Sequence, residues 1–216
     1  MKSIKIISPL LLVSSLFAAM PISAEIIDVA NNIANTASGG GSRTIDSTHW
    51  FGQAFTTPAP IFNSITAITL SLTNIDSNGD FSVSIYDVDT VNGDKPNNNV
   101  ADAVTFQAVS TIGTGPNGYT SVNMLPLTTL SPSTVYYLVV KQVSGTGGFA
   151  WNFAGDATGI GFPSNFSAFT GSSWSAPTTT NPQKMQIQAD IPEPGSLALL
   201  AIGIVGASFS RRKVVG

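Results

Sequence analysis

Between residues 25 and 190, apolar side chains recur at every second position rather than at helical spacing. Ile68, Leu70 and Leu72 alternate with Thr69 and Ser71, and Phe81, Val83 and Ile85 alternate with Ser82 and Ser84. A period of two is the mark of a half-buried strand, because successive side chains point to opposite faces. Asp76-Ser77-Asn78-Gly79-Asp80 lies between the two runs, and its Asn-Gly favours a turn at positive φ, so the pair is expected to form a hairpin. Val104 to Thr111 and Tyr119 to Met124 read as a second pair across Gly113 to Gly118. His49 to Thr56 is aromatic-rich. Val135 to Val143 opens apolar on both faces, as a central strand between two layers would. Phe149 to Phe153 and Lys184 to Ala189 complete the set, with Met185 and Ile187 facing inward. Asn31 to Arg43 and Ala154 to Pro182 are rich in small polar residues and read as loops. Eight or nine short strands with polar turns predict an all-β fold, an antiparallel β-sandwich of jelly-roll type.

The two ends break this pattern. Lys2 and Lys5 precede a mostly apolar run, Ile6 to Met20, and Pro21-Ile22-Ser23-Ala24 supplies small residues before a cut. This describes a secretory signal peptide over residues 1–24, cleaved after Ala24. At the other end, Ile191-Pro192-Glu193-Pro194-Gly195 leads into an apolar run from Leu197 to Phe209 and then Arg211-Arg212-Lys213. Thirteen residues make about 20 Å of helix, less than the ~30 Å hydrocarbon core. Flanking serines and snorkelling of the arginines extend the reach, so residues 197–210 are expected to form a short transmembrane helix. The basic cluster would stay cytoplasmic and the preceding domain would lie outside. The expected organisation is thus a signal peptide (1–24), an exported β-domain (25–190) and a C-terminal signal (191–216).

Charge follows the same division. Five of the nine cations sit in the end segments. Arg43, Lys95, Lys141 and Lys184 face all twelve acids in residues 25–194, which leaves that segment at −8 against −3 for the whole chain. A domain this acidic repels phosphate backbones, which argues against a nucleic-acid partner. The chain has no cysteine, so neither disulfides nor thiolate metal sites hold it together.

Candidate chemistry is sparse. Asp76, Asn78, Asp80, Asp87 and Asp89 are closely spaced oxygen donors, a composition that suits Ca²⁺. The segment from Asp87 to Asp94 departs from an EF-hand loop, since its Asn-Gly falls one position late and no Glu closes it. The alternative is that these residues shape turns. His49 is the only histidine, no Gly-x-Ser-x-Gly elbow accompanies it, and glutamate occurs only at Glu25 and Glu193. The residues point to no catalytic group; zinc would lack both Cys and a second His, which leaves Ca²⁺ as the one candidate cofactor. Trp50 and Trp151 read as packing residues. Trp174, among Gly and Ser, is a candidate for stacking on a sugar ring. Asn165-Phe166-Ser167 matches a glycosylation sequon, a pattern frequent by chance.

The tail from Ile191 through Pro192, Glu193 and Pro194 to Arg211, Arg212 and Lys213 closely resembles the PEP-CTERM sorting signal of Gram-negative bacteria. That resemblance implies recognition of Pro192-Glu193-Pro194 by exosortase, a membrane transpeptidase-like enzyme, after export by the general secretory machinery. It also implies a setting in which exopolysaccharide is made. Gln53 to Thr57, Phe81 to Tyr86, Leu130 to Tyr137, Trp151 and Trp174 resemble, more weakly, the type R group of choice-of-anchor exported domains. The reading is a non-enzymatic structural or adhesive protein of the cell surface or extracellular matrix, associated with exopolysaccharide. A carbohydrate- or calcium-binding module is the alternative, and a hydrolase is the weakest of the three.

Overall fold

The computed structural model describes residues 25–35, 41–59, 64–114, 118–123, 130–156, 158–161 and 166–191. The expected signal peptide, transmembrane segment and sorting residues Pro192, Glu193, Pro194, Arg211, Arg212 and Lys213 lie outside them. Among the described residues no helix is long and apolar enough to cross a membrane.

Twelve strands are present among the described residues: β1 (Glu25–Asn31), β2 (Gly41–Ile45), β3 (His49–Thr56), β4 (Ser64–Leu70), β5 (Leu72–Asn74), β6 (Asp80–Asp89), β7 (Lys95–Ala108), β8 (Thr120–Asn123), β9 (Val135–Gln142), β10 (Phe149–Phe153), β11 (Phe166–Thr170) and β12 (Met185–Ile191). A short 3-10 turn, Val109–Thr111, follows β7. The strands form three antiparallel sheets, ordered β1-β12-β4-β8, β2-β10-β5 and β11-β3-β9-β6-β7.

All three sheets contribute to one core. Ile68 and Leu70 of β4, Met185 and Ile187 of β12, Phe149 and Trp151 of β10, and Phe81, Val83 and Ile85 of β6 are all buried in it. The odd positions of β6 enter this core, as the alternation predicts; Ser82 and Ser84 take its other face but are buried as well, so the strand expected to be half-buried is covered on both sides. Trp151 is fully buried, and its indole Nε1 donates to the Lys184 carbonyl at 3.0 Å, so its one polar atom is satisfied. β9 sits between β3 and β6, as its doubly apolar sequence predicts. Tyr136, Leu138 and Val140 face the shared core, while Tyr137 and Val139 join Ala54 in a second, smaller cluster on the outer face.

Both expected hairpins are absent. Ile68, Leu70 and Leu72 do not lie on one strand: the chain leaves the four-stranded sheet at Ser71 and enters the three-stranded one as β5. Ser71 makes the corner, with its N–H donating to the Lys184 carbonyl and its carbonyl accepting from Asn152 N–H. The alternation persists through the corner because all three apolar residues still face the shared core. β5 pairs with β10, and β6 with β7 and β9, so the Asp76–Asp80 turn crosses between sheets. In the same way β7 pairs with β6 and β8 with β4. The segment from Ala154 to Pro182 also holds a strand not anticipated from its composition, β11, which pairs with β3 at the edge of the five-stranded sheet.

Candidate functional site

The outer face of the five-stranded sheet carries a row of half-buried aromatic rings with a lysine beside it. The register places Phe169 of β11 beside Trp50 of β3. Their rings stack at 4.2 Å with an interplanar angle of 9°. Trp174, on the segment that follows β11, meets Phe169 and Tyr86 edge-on at 5.4 and 6.3 Å. Trp174 is therefore half-buried in an aromatic row rather than standing free on a loop. On the other side of Trp50, the Lys141 ammonium lies 5.1 Å from the ring centroid, a cation–π distance. Both faces of the Trp50 ring are thus occupied within the protein.

Ser47, Trp50, Lys141, Gln142, Val143, Ser144 and Gly145 line a cleft of about 380 Å³ at this end of the sheet. Its polar groups are one ammonium, two serine side chains and a buried amide. Trp50 Nε1 and Gln142 Oε1 are buried without hydrogen-bond partners. Among the described residues Lys141 has no carboxylate within ion-pair distance. The cleft can hold a small group rich in hydroxyl or oxyanion oxygens.

Further along the same face, Gly52 lets the β6–β7 hairpin close over the sheet. A methyl there would press on Pro96, Tyr137 and Val139. Tyr137 Oη donates to the Asp94 carbonyl at 2.8 Å, and burial, with the nearby Asp94 charge, pushes its phenol up to about 12. Ser82, Ser84 and Ser167 lie on this face. Ser167 donates to the Ser175 carbonyl at 2.8 Å, whereas the hydroxyls of Ser82 and Ser84 are buried and unpaired.

The five calcium candidates are not brought together. Asp80 and Asp89 are the two ends of β6, nine steps apart, which is about 30 Å at strand rise. At one end Asp76 Oδ1 accepts from Gly148 N–H (2.8 Å), Asn78 Oδ1 from Thr146 N–H (3.0 Å) and Asp80 Oδ2 from the Ser144 hydroxyl (3.3 Å). These contacts fasten two crossing loops. At the other end Asp89 caps the β6–β7 turn, accepting from the Asn92 side chain at 2.6 Å and from the Val91 and Asn92 N–H groups at 3.0 Å. The Asn92 side chain and backbone hold its carboxyl below the usual range despite some opposing desolvation. Asp87 sits near that end of β6 and is also engaged. Among the described residues no three acidic or histidine side chains group as a metal site.

His49 begins β3 on an exposed turn. Its Nδ1 lies 3.0 Å from Asp46 Oδ2 and 3.0 Å from the Thr48 hydroxyl. Desolvation alone would raise the Asp46 carboxyl. Hydrogen bonds from Thr48, through N–H and hydroxyl, and from His49, through ring and N–H, outweigh it and hold the group at about 2. The pair caps a turn, and among the described residues no serine hydroxyl is hydrogen-bonded to the imidazole.

One structural device left no trace in the motif reading. The Arg43 guanidinium lies between the rings of Phe153 and Phe166, 4.2 and 3.7 Å from their centroids. It donates to the Asn181 carbonyl at 3.0 Å and, with the Gln183 amide turned so that its oxygen faces the guanidinium and its nitrogen the Trp151 carbonyl, to Gln183 Oε1 at 2.9 Å. Desolvation lowers its pKa to about 10. Phe153 and Phe166 are strand residues, but their convergence on Arg43 is purely tertiary.

The described part of the chain is thus an all-β domain of three antiparallel sheets around one core. Its C-terminal end carries the second element of identity: residues 190–213 match the family model described as the PEP-CTERM protein-sorting motif. That motif marks a secreted, envelope-directed protein sorted by exosortase. No curated protein and no solved structure shows significant similarity to the chain.

Proposed function

We propose that this chain is a non-enzymatic structural or adhesive component of the cell surface or extracellular matrix, associated with exopolysaccharide, and that its β-domain is a jelly-roll-like sandwich. The sorting motif carries the reading, because it sends an acidic all-β domain through the envelope. The sharing of one core by three sheets supports the sandwich. The weaker resemblance of residues 45–190 to choice-of-anchor exported domains points the same way. On this reading the leader is cut after Ala24 and the tail is removed by exosortase. β1 begins at Glu25, so the first cut leaves that strand whole.

Intact mass of the exported protein tests the processing: loss of residues 1–24 and of Arg211, Arg212 and Lys213 is expected. A secreted form that keeps Arg211 would make the tail a plain anchor. Co-sedimentation with purified exopolysaccharide tests the association, and a protein that stays wholly in the supernatant at all ionic strengths would refute it.

A second reading, a carbohydrate-binding module, is favoured by the cleft between Ser47, Trp50, Lys141 and Ser144. Recognition there would run through the ammonium and hydroxyls, since Trp50 is covered on both faces. Saturable binding on a glycan array, lost in Lys141→Ala and kept in Trp174→Ala, would locate it in the cleft. Loss in Trp174→Ala instead would place it on the aromatic row.

A further inference from the structure

The sorting motif begins inside a strand. The matched residues start at 190, and Asp190 and Ile191 are the last two residues of β12. β12 is an interior strand with β4 on one side and β1 on the other. Asp190 faces Ser64, the first residue of β4. On the β1 side, Asn32 N–H donates to the Met185 carbonyl, and Asp28 Oδ1 accepts from the side chains of Gln186 and Gln188. No spacer therefore separates the folded sheet from Pro192. Even fully extended, the three residues Pro192 to Pro194 reach only about 11 Å beyond the strand.

An enzyme that cuts a peptide holds its substrate extended, with main-chain groups on both sides of the scissile bond hydrogen-bonded to the cleft. The main-chain groups on the N-terminal side of Pro192 already belong to the sheet. Resting on the proposal that exosortase removes the tail, we propose that the end of β12 is a gate on that step: exosortase engages Pro192-Glu193-Pro194 only while Ala189 and Asp190 are unpaired from β4.

The ladder shows where the gate divides from the body of the sheet. From Met185↔Leu70 to Gln188↔Ala67 the register is regular, and Met185 and Ile187 are fixed in the core. Between Gln188 and Ala189 the register jumps, and Ala189 faces Ile65 with Thr66 passed over. A bulge interrupts the hydrogen-bond ladder. The two pairs beyond it, Ala189↔Ile65 and Asp190↔Ser64, can open as a short unit while the rest of β12 stays in place. The gate couples export to folding, since an unfolded domain would expose the site at once and a folded one releases it only by fraying.

The test uses the full chain in cells that process it. The chain has no cysteine, so Ser64→Cys with Asp190→Cys introduces one pair of thiols at facing positions. Facing residues of an antiparallel ladder lie about 4.5–5.5 Å apart at Cα, within the span a disulfide bridges. The oxidised double variant is expected to keep its tail by intact mass. Its reduced form and either single variant should lose the tail as the parent does. Inserting ten Gly/Ser residues between Ile191 and Pro192 should restore tail removal to the oxidised double variant. An oxidised double variant processed at the parental rate would overturn the gate. So would one that still keeps its tail with the insert, since the block would then come from misfolding. A parent that itself keeps its tail would overturn the processing reading and the gate together, which separates the two failures.

Discussion

Three serines on the outer face of the five-stranded sheet form a matched experiment. Ser82, Ser84 and Ser167 are each buried to within 1% of completely. The register Ser167↔Gly52, Gly52↔Val139 and Val139↔Ser84 places two of them in one row across the sheet. They differ in one respect: Ser167 donates to the Ser175 carbonyl at 2.8 Å, while the hydroxyls of Ser82 and Ser84 meet no partner. A buried polar group left unpaired costs ~1–3 kcal/mol. Truncation to alanine removes that cost and leaves a void of one oxygen, too small to cancel it. Ser82→Ala and Ser84→Ala are therefore expected to stabilise the domain by about 0.5–2 kcal/mol each. Ser167→Ala strips a carbonyl of its donor and should destabilise by ~1 kcal/mol. Urea denaturation at constant m-value reads all three, and for a domain of this size 1 kcal/mol corresponds to about 2–4 °C in Tm. Ser82 and Ser84 are close enough to couple, so the double variant belongs in the set. If Ser82→Ala and Ser84→Ala destabilise as much as Ser167→Ala, their hydroxyls are hydrogen-bonded in solution and the reasoning fails.

Arg43→Lys should destabilise by about 1–2 kcal/mol in thermal denaturation, because an ammonium cannot lie flat between Phe153 and Phe166 while donating to Asn181 and Gln183; an unchanged Tm would reduce the stack to a bystander. Gly145→Ala should cost more than ~1 kcal/mol, since its φ of 81° is left-handed and a methyl would run into the Asn78 carbonyl; wild-type stability would mean the two loops are not fastened as described. The Asp46 carboxyl, depressed to about 2, contributes stability that is present above its unfolded value near 3.8 and disappears as pH falls through 2. The turn is largely exposed, so Asp46→Ala should cost under ~1 kcal/mol at pH 7. That difference should shrink in denaturation curves as pH falls from 4 through 2 and vanish only below that, and a constant difference across this range would contradict the assignment.

Local composition located β3 by its aromatic run, β9 by apolar residues on both faces, β10 and the start of β12 by short apolar runs, and β6 by period-two alternation. The same signal joined Ile68, Leu70 and Leu72 into one strand, since a corner at Ser71 that changes sheets but not the buried face leaves the alternation intact. β11 escaped notice because its sequence, Phe-Ser-Ala-Phe-Thr, is too short and mixed to show a period. In the site, Trp174 reads as exposed from its Gly and Ser neighbours, yet Phe169 and Tyr86 come to it from different strands. The aspartates are neighbours along the chain, but a strand of ten residues carries Asp80 and Asp89 to opposite ends.

The all-β class, the acidity of the exported segment and the sorting address at residues 190–213 are written in short stretches of chain, because composition, alternation and a contiguous motif are local properties. Which strands pair, that Lys141 lies over Trp50, and that the address starts within an interior strand of a sheet emerge only from the folded arrangement. Strand pairing depends on hydrogen bonds between segments far apart in sequence, with each edge open to several partners of like pattern. The choice among them is made by the core all three sheets fill together.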